Sequence, residues 1–327
     1  LYYIILTMLK IGITIGDPAG VGPELILKIS KKFKPENAYI IYGEKKIMLA
    51  VCQTLGIWLD MQDINTADEI NSPGVYIADL NISETDRPLP SLTSGKVAVA
   101  YLGRATVDAV YKKIDCLLTM PINKFWASLA GFSYEGQTEF LARASQVKEY
   151  AMLMYSEAIR VVPFTTHIPL REVPQRVKKE ELVGKIKLVV REYGKLFGKE
   201  PSIGVLGLNP HAGDQGVIGT EDVEEILPAV EELKAQGYRV EGPLSPDSAF
   251  LKEGFDLFLA MYHDQGLIPF KLLSKGEGVN ITLGLPFVRT SPAHGTAYEI
   301  AWKGIADERS ALRALELCEN LSGKIPH

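Results

Sequence analysis

Short apolar runs alternate along the chain with stretches of helical period. Six runs read as strands: KIGITI (10–15), AYIIY (38–42), VYIAD (75–79), DCLLT (115–119), SIGVLGL (202–208) and DLFLAM (256–261). Between them apolar residues recur at three- and four-residue spacing. That pattern predicts helices over about 23–33, 95–113, 177–197, 220–236 and 309–321. Pro23 suits a first helical turn. Thr220, followed by Glu221 and Asp222, predicts an N-cap with acids facing the helix dipole, and Gly237 predicts a stop. Strands alternating with helices mean an α/β protein with a largely parallel sheet. The polar, proline-bearing stretch 80–94 is expected to be a surface excursion. No internal repeat is visible.

In open α/β sheets ligands bind beyond the carboxyl ends of the strands. The segments there are IGDPAGVGPE (15–24), TMPINK (119–124), TTHIPL (165–170), LNPHAGDQG (208–216) and MYHDQG (261–266). His167, His211 and His263 each follow an apolar run and are expected to begin a loop. Three neutral imidazoles converging from three loops would make a divalent-metal site with open positions. The alternative is that each caps a strand end through its backbone; the long spacing matches no local metal motif. Asp214 and Asp264 are candidates to orient imidazoles. GDPAGVG resembles a phosphate-binding turn, but it is neither GxGxxG nor a P-loop, so a tight strand-to-helix turn is the simpler reading. In the stretch 271–299, Lys271, Asn280 and Arg289 punctuate apolar sequence. Arg289 is a candidate anion clamp, with a surface salt bridge as the alternative.

The chain has 327 residues, 46% hydrophobic and 23% charged, with a net charge of −5. Such a balance gives no basic field for nucleic acid or acidic membranes, so an anionic ligand must meet a local basic group. Cys52, Cys116 and Cys318 are far apart and form no CxxC, which points to a reducing compartment and to thiols as core residues. The apolar start lacks a basic segment and a cleavage site, and is too short to span a membrane before GDPAG. Met8 is the expected natural start, with residues 1–7 as extra upstream translation.

ITIGDPAGVGPE, TMPINK, TTHIPL, LGLNPHAGDQG, GPLSPDSAF, AMYHDQGLIPFKLL and GVNITLGLPFVRTSPAHGTA resemble, in order and spacing, the 4-hydroxythreonine-4-phosphate dehydrogenase family of vitamin B6 synthesis. The likeness runs from about residue 10 to 307. HGTAYEIAWKGIAD (294–307) is similar to the loop that holds the adenosine end of NAD in isocitrate and isopropylmalate dehydrogenases. The resemblance implies two α/β/α domains with a largely parallel or mixed sheet and an active site in the interdomain cleft. The expected domains are 8–130 with 300–327, and 131–299. It further implies a divalent metal (Zn, Co, Ni, Mg or Mn) on His167, His211 and His263. Substrate would be held by Gln137, Thr138, Lys271, Asn280 and Arg289, and NAD or NADP by His294, Gly295 and Ala297. Lys124 and Asp247 are the candidate bases. A cytoplasmic homodimer with shared active sites is implied, acting without nucleic acid or membrane. Three positions depart from the family pattern: Gln137 stands where histidine is expected, Ala293 where an acid often precedes HGTA, and Trp302 where related loops carry glycine. Gln137 keeps a phosphothreonate dehydrogenase open as an alternative. Metal-dependent hydrolysis without NAD and acyl transfer from an acyl phosphate are the more distant ones.

Overall fold

The computed structural model describes residues 8–325, so the expectation for residues 1–7 lies outside it. Among the described residues the strands are β1 (Lys10–Thr14), β2 (Ala38–Gly43), β3 (Gln62–Ile64), β4 (Gly74–Asp79), β5 (Cys116–Thr119), β6 (Ala151–Tyr155), β7 (Arg160–Pro163), β8 (Ile203–Leu206), β9 (Val240–Leu244), β10 (Leu257–Ala260), β11 (Val279–Leu283) and β12 (Val288–Pro292). The six expected strands are all present. So are the five expected helices, as Gly22–Ile29, Leu92–Val110, Lys179–Phe197, Leu227–Ala235 and Arg309–Leu321.

The described residues form two compact units, 8–147 with 285–325, and 148–284. The boundaries differ from those expected at 130/131 and 299/300. β12 falls in the first unit because it pairs in parallel with β5 (Arg289 opposite Leu117). The first unit's strands run β3-β4-β2-β1-β5-β12, and every pair is parallel. Strands covered on both faces read as continuous apolar runs; accordingly Ile11, Ile13, Ile40, Ile41, Leu117 and Leu118 are fully buried. The second unit runs β11-β6-β7-β10-β8-β9. Its β11-β6 and β6-β7 pairs are antiparallel, while β7, β10, β8 and β9 are parallel.

Local chemistry ends these elements as expected in most places. Pro23 lies in the first turn of its helix, and Gly237 (φ +90°) stops the helix ending at Ala235. Thr220 differs: its hydroxyl donates to the Glu224 carboxylate at 3.0 Å and does not cap a backbone N–H. The helix there opens with a π turn over Asp222–Ile226. The excursion at 80–94 is largely exposed and is tied down by Glu44, whose Oε1 accepts from the N–H groups of Ile82 and Ser83. All three cysteines are free and buried. No helix among the described residues is long and apolar enough to cross a membrane.

Candidate active site

In the first unit the strand order reverses at β1, which has β2 on one side and β5 on the other. The crevice at such a switch point is where open α/β sheets take ligands. The two loops leaving it, GDPAG and TMPINK, touch directly: the Asp17 N–H donates to the Pro121 carbonyl at 2.9 Å. Gly16 (φ +70°) permits this, since a Cβ there would lie 2.4 Å from that same oxygen. Asp17 is fully buried. Burial raises its pKa above the usual 3.8, and hydrogen bonds from Tyr298 Oη, the Ala19 N–H and Ser94 Oγ oppose the rise. The Tyr298 bond is 2.5 Å. With Trp302 Nε1 on the Pro18 carbonyl (3.2 Å) and Val21 N–H on the Thr296 carbonyl (2.9 Å), it lays the 294–304 loop against GDPAG. Trp302 adopts a left-handed backbone (φ +62°), the conformation for which glycine is the default residue.

Arg289, on β12, is only 2% exposed, so it is not a surface salt bridge. Thr119, the last residue of β5, receives two of its hydrogen bonds on one oxygen: Nε at 3.1 Å and Nη2 at 2.6 Å. Longer contacts of 3.4 Å run from Nη1 to Thr138 Oγ1 and from Nη2 to Gln137 Oε1. The Gln137 amide is thereby oriented, because its Nε2 donates to the Met120 carbonyl at 3.0 Å. Burial lowers the Arg289 pKa from 12.5 to about 10, and the charge of Glu139 works the other way. A buried guanidinium held along one edge by a hydroxyl has the planar, fixed geometry suited to bidentate anion recognition. Thr119 was missed by sequence reasoning. Its only signal was its place at a strand's carboxyl end.

In the second unit the three histidines leave three neighbouring parallel strands, β7, β10 and β8. The His167 and His263 rings lie 5.7 Å apart between centroids. Among the described residues, the ligand atoms of the three imidazoles do not all come within 4.8 Å of one another. His263 does not begin a loop as expected; it is the first residue of the helix His263–Ser274, which tolerates Pro269 within it. Its Nδ1 bonds Asp264 Oδ1 at 2.7 Å. Gln265 braces the strand ends: Oε1 accepts from the Met261 N–H and Nε2 donates to the Gly207 carbonyl, both at 2.7 Å. Thr165 Oγ1 ties the His167 loop to the Met261 carbonyl at 2.7 Å. His211 heads five successive residues with left-handed backbone, φ +54°, +54°, +77°, +43° and +56° through Gln215. For non-glycine residues this conformation costs about 1–2 kcal/mol each.

The remaining predicted residues are placed as follows. Lys124 is exposed and opens the helix Lys124–Leu129. Asp247 is exposed, and Ser245 Oγ donates to it at 2.8 Å; that bond, with the nearby charge of His211 among the smaller causes, holds its pKa below 3.8. Lys271 is exposed in the last turn of the His263 helix. Asn280 lies on β11, and its buried Oδ1 has no hydrogen-bond partner. His294 is exposed, with Nδ1 3.0 Å from the Gly295 carbonyl. A Cβ on Gly295 would meet nothing within 4 Å. Ala297 has φ +45°.

The fold, two units built on one α/β pattern, is found in other proteins of known structure. The structure of isocitrate dehydrogenase from Methylococcus capsulatus aligns with a TM-score of 0.50 over 97% of this chain and 86% of that one, at 15% identity, which bears out the expected fold. Residues 35–318 match the model described as pyridoxal phosphate biosynthetic protein PdxA, and the chain belongs to that family. It is 59% identical to the 4-hydroxythreonine-4-phosphate dehydrogenase of Aquifex aeolicus over 97% of this chain and 99% of the relative. It is also 38% identical to the D-threonate 4-phosphate dehydrogenase of Cupriavidus necator, over 93% and 95%. The crystal structure of the Klebsiella pneumoniae 4-hydroxythreonine-4-phosphate dehydrogenase aligns with a TM-score of 0.83 at 35% identity, over 96% of this chain and 99% of that one.

Proposed function

We propose that this protein is a metal-dependent, NAD(P)-linked dehydrogenase that oxidises the secondary hydroxyl of 4-hydroxythreonine 4-phosphate (4-phosphooxy-L-threonine). The 3-oxo acid formed loses carbon dioxide to give 3-amino-2-oxopropyl phosphate, on the route to pyridoxal phosphate. The observation that carries this reading is the 59% identity to the Aquifex aeolicus enzyme across nearly the whole of both chains.

The residues fit a divalent metal. Three imidazoles follow neighbouring strands, one with its Nδ1 engaged by Asp264. When bound, such an ion would acidify the substrate hydroxyl and stabilise charge on the oxygen as the carbonyl forms. His167, His211 and His263 would hold it. Their failure to converge within one chain supports a homodimer that shares ligands between subunits. So do Ile268, Leu272 and Leu273, left exposed on the helix that His263 begins.

Arg289, with Thr138 and Gln137, would grip an anionic end of the substrate and fix its orientation. Lys271 and Asn280 would hold its other polar groups. His294, Gly295 and Ala297 would lie against the dinucleotide. Lys124 and Asp247 are the candidate bases; the hydrogen bond from Ser245 lowers the Asp247 pKa and so weakens it as a proton acceptor. The residue types suit a cytoplasmic metabolic enzyme.

A specific observation keeps D-threonate 4-phosphate as a second reading. Gln137 is neutral and hydrogen-bonded at both ends of its amide, and relatives named for that substrate match at 38% identity. Measuring NAD+ and NADP+ reduction by the purified protein on each substrate, with and without chelator, decides between them. Turnover of the threonate alone would replace the main reading, and turnover that survives complete chelation would remove the metal from it.

A further inference from the structure

The left-handed turn that carries His211 is braced from outside as well as from within. Main-chain bonds close around it, among them those from Ala212 to the Asn209 carbonyl, Val217 to Asp214 and Ile218 to Gly213. A fully buried carboxylate grips its entry. Asp222 Oδ1 accepts from the Leu208 N–H at 2.8 Å, and Oδ2 accepts from the Asn209 N–H at 3.0 Å and from Asn209 Nδ2 at 2.8 Å. The surrounding residues are shaped to admit that carboxylate. A Cβ on Gly207 would lie 2.7 Å from Asp222 Oδ1, and one on Gly213 would lie 3.2 Å from Oδ2. A Cβ on Gly219 would collide with Asn209 Nδ2 at 2.6 Å. Asp222 itself begins the π turn Asp222–Ile226, a rare backbone feature that is frequent at functional sites.

Backbone strain of this kind persists only where the surroundings over-determine it. We propose that Asp222 is a positioning residue: its carboxylate locks the left-handed turn 211–215 and so aims the His211 imidazole for metal binding. Asp222 touches neither metal nor substrate. The inference rests on the metal-ligand reading of His211 given above. An asparagine at 222 keeps the size but sets an NH2 group against a main-chain N–H, so at least one of the two backbone bonds is lost.

The test uses the full-length protein with Co2+ as the probe metal, and compares Asp222→Asn with Leu153→Ala, a buried position on β6 that serves as a control for lost stability. Metal affinity is read by competition with a chromophoric chelator, and loop order by amide hydrogen exchange over residues 208–218. Expected for Asp222→Asn is a Co2+ affinity about tenfold weaker, the low end of what a residue orienting a metal ligand is worth, with amide exchange in the loop accelerated at least as much. Leu153→Ala, compared at equal thermal destabilisation, leaves both near wild type. Unchanged loop exchange in Asp222→Asn overturns the proposal. So does faster exchange with unchanged Co2+ affinity, provided His211→Ala has lost affinity. If His211→Ala itself binds Co2+ as tightly as wild type, the metal reading of His211 falls and takes the aiming role with it, while faster loop exchange would still mark Asp222 as the lock on the turn.

Discussion

Replacing Arg289 by methionine should stabilise the protein without substrate and disable it with substrate. The guanidinium is 2% exposed, and burial brings its pKa from 12.5 down to about 10. At 1.36 kcal/mol per pH unit, the charged form costs the fold roughly 3 kcal/mol at neutral pH. The sign follows from proton binding. Between about pH 10 and 12.5 the unfolded chain holds the proton better, so stability rises with pH there, and the cost is complete below that range. Methionine removes this cost at similar volume. It also leaves the Thr119 hydroxyl without its two donors and loosens Thr138 and Gln137, a loss of about 1–2 kcal/mol. The net gain is about 1–2 kcal/mol, and at about 2–4 °C per kcal/mol the midpoint should rise by a few degrees. Thermal melts in phosphate-free buffer measure it. Inorganic phosphate should raise the midpoint of the wild type by mass action and leave that of Arg289→Met unmoved. The variant's kcat/KM should fall about a hundredfold or more, as when one partner of a buried charged pair is truncated. An Arg289→Met protein that melts below wild type in phosphate-free buffer would mean that the arginine is kept for its internal contacts, and the anion-clamp reading would be abandoned.

Thr119→Val keeps the shape and removes the oxygen that fixes the guanidinium, so the KM for phosphorylated substrate should rise about tenfold, for a loss of about 1.5 kcal/mol. Thr119→Ser should restore it, and a serine variant as weak as the valine would show that the methyl group matters and not the hydroxyl. Gln137→His should give kcat/KM a new dependence on pH near or below 6.5, the ordinary histidine value, with Arg289 beside it disfavouring the proton; a profile superimposable on the wild type would rule out contact between this position and substrate. Asp17 is buried with a raised carboxyl pKa, so the native state holds its proton longer than the unfolded chain and stability falls as pH rises above about 4. Asp17→Asn should therefore flatten stability against pH from 4 to 7, as read by denaturant titration, and an unchanged slope would assign that dependence to other groups.

The legible part of the fold was the part with one purpose. β1, β2, β5, β8 and β10 are apolar because parallel strands are covered on both faces, and they announce themselves as runs. β12 escaped notice because its buried residues include Arg289, Thr290 and Ser291, a polar run that reads as a loop until a partner strand is placed beside it. The helix His263–Ser274 escaped for a similar reason: it opens on HDQG and contains Pro269, so its first turn is written in the vocabulary of turns. These two elements carry residues of the candidate site, and there local pattern gives way to the chemistry the site needs.

By themselves the residues settled the α/β class, the strands that end in candidate loops, and the histidine, lysine and arginine types a metal and an anion would need. These are local matters of period and side-chain chemistry. Tertiary structure alone decided that β7, β10 and β8 lie side by side, that Arg289 is buried against Thr119, and that Asp222 holds the turn before His211. Strand order and register join residues far apart in the chain, and the desolvation that shifts a pKa depends on what surrounds a group in space. Neither is a property of neighbours in sequence.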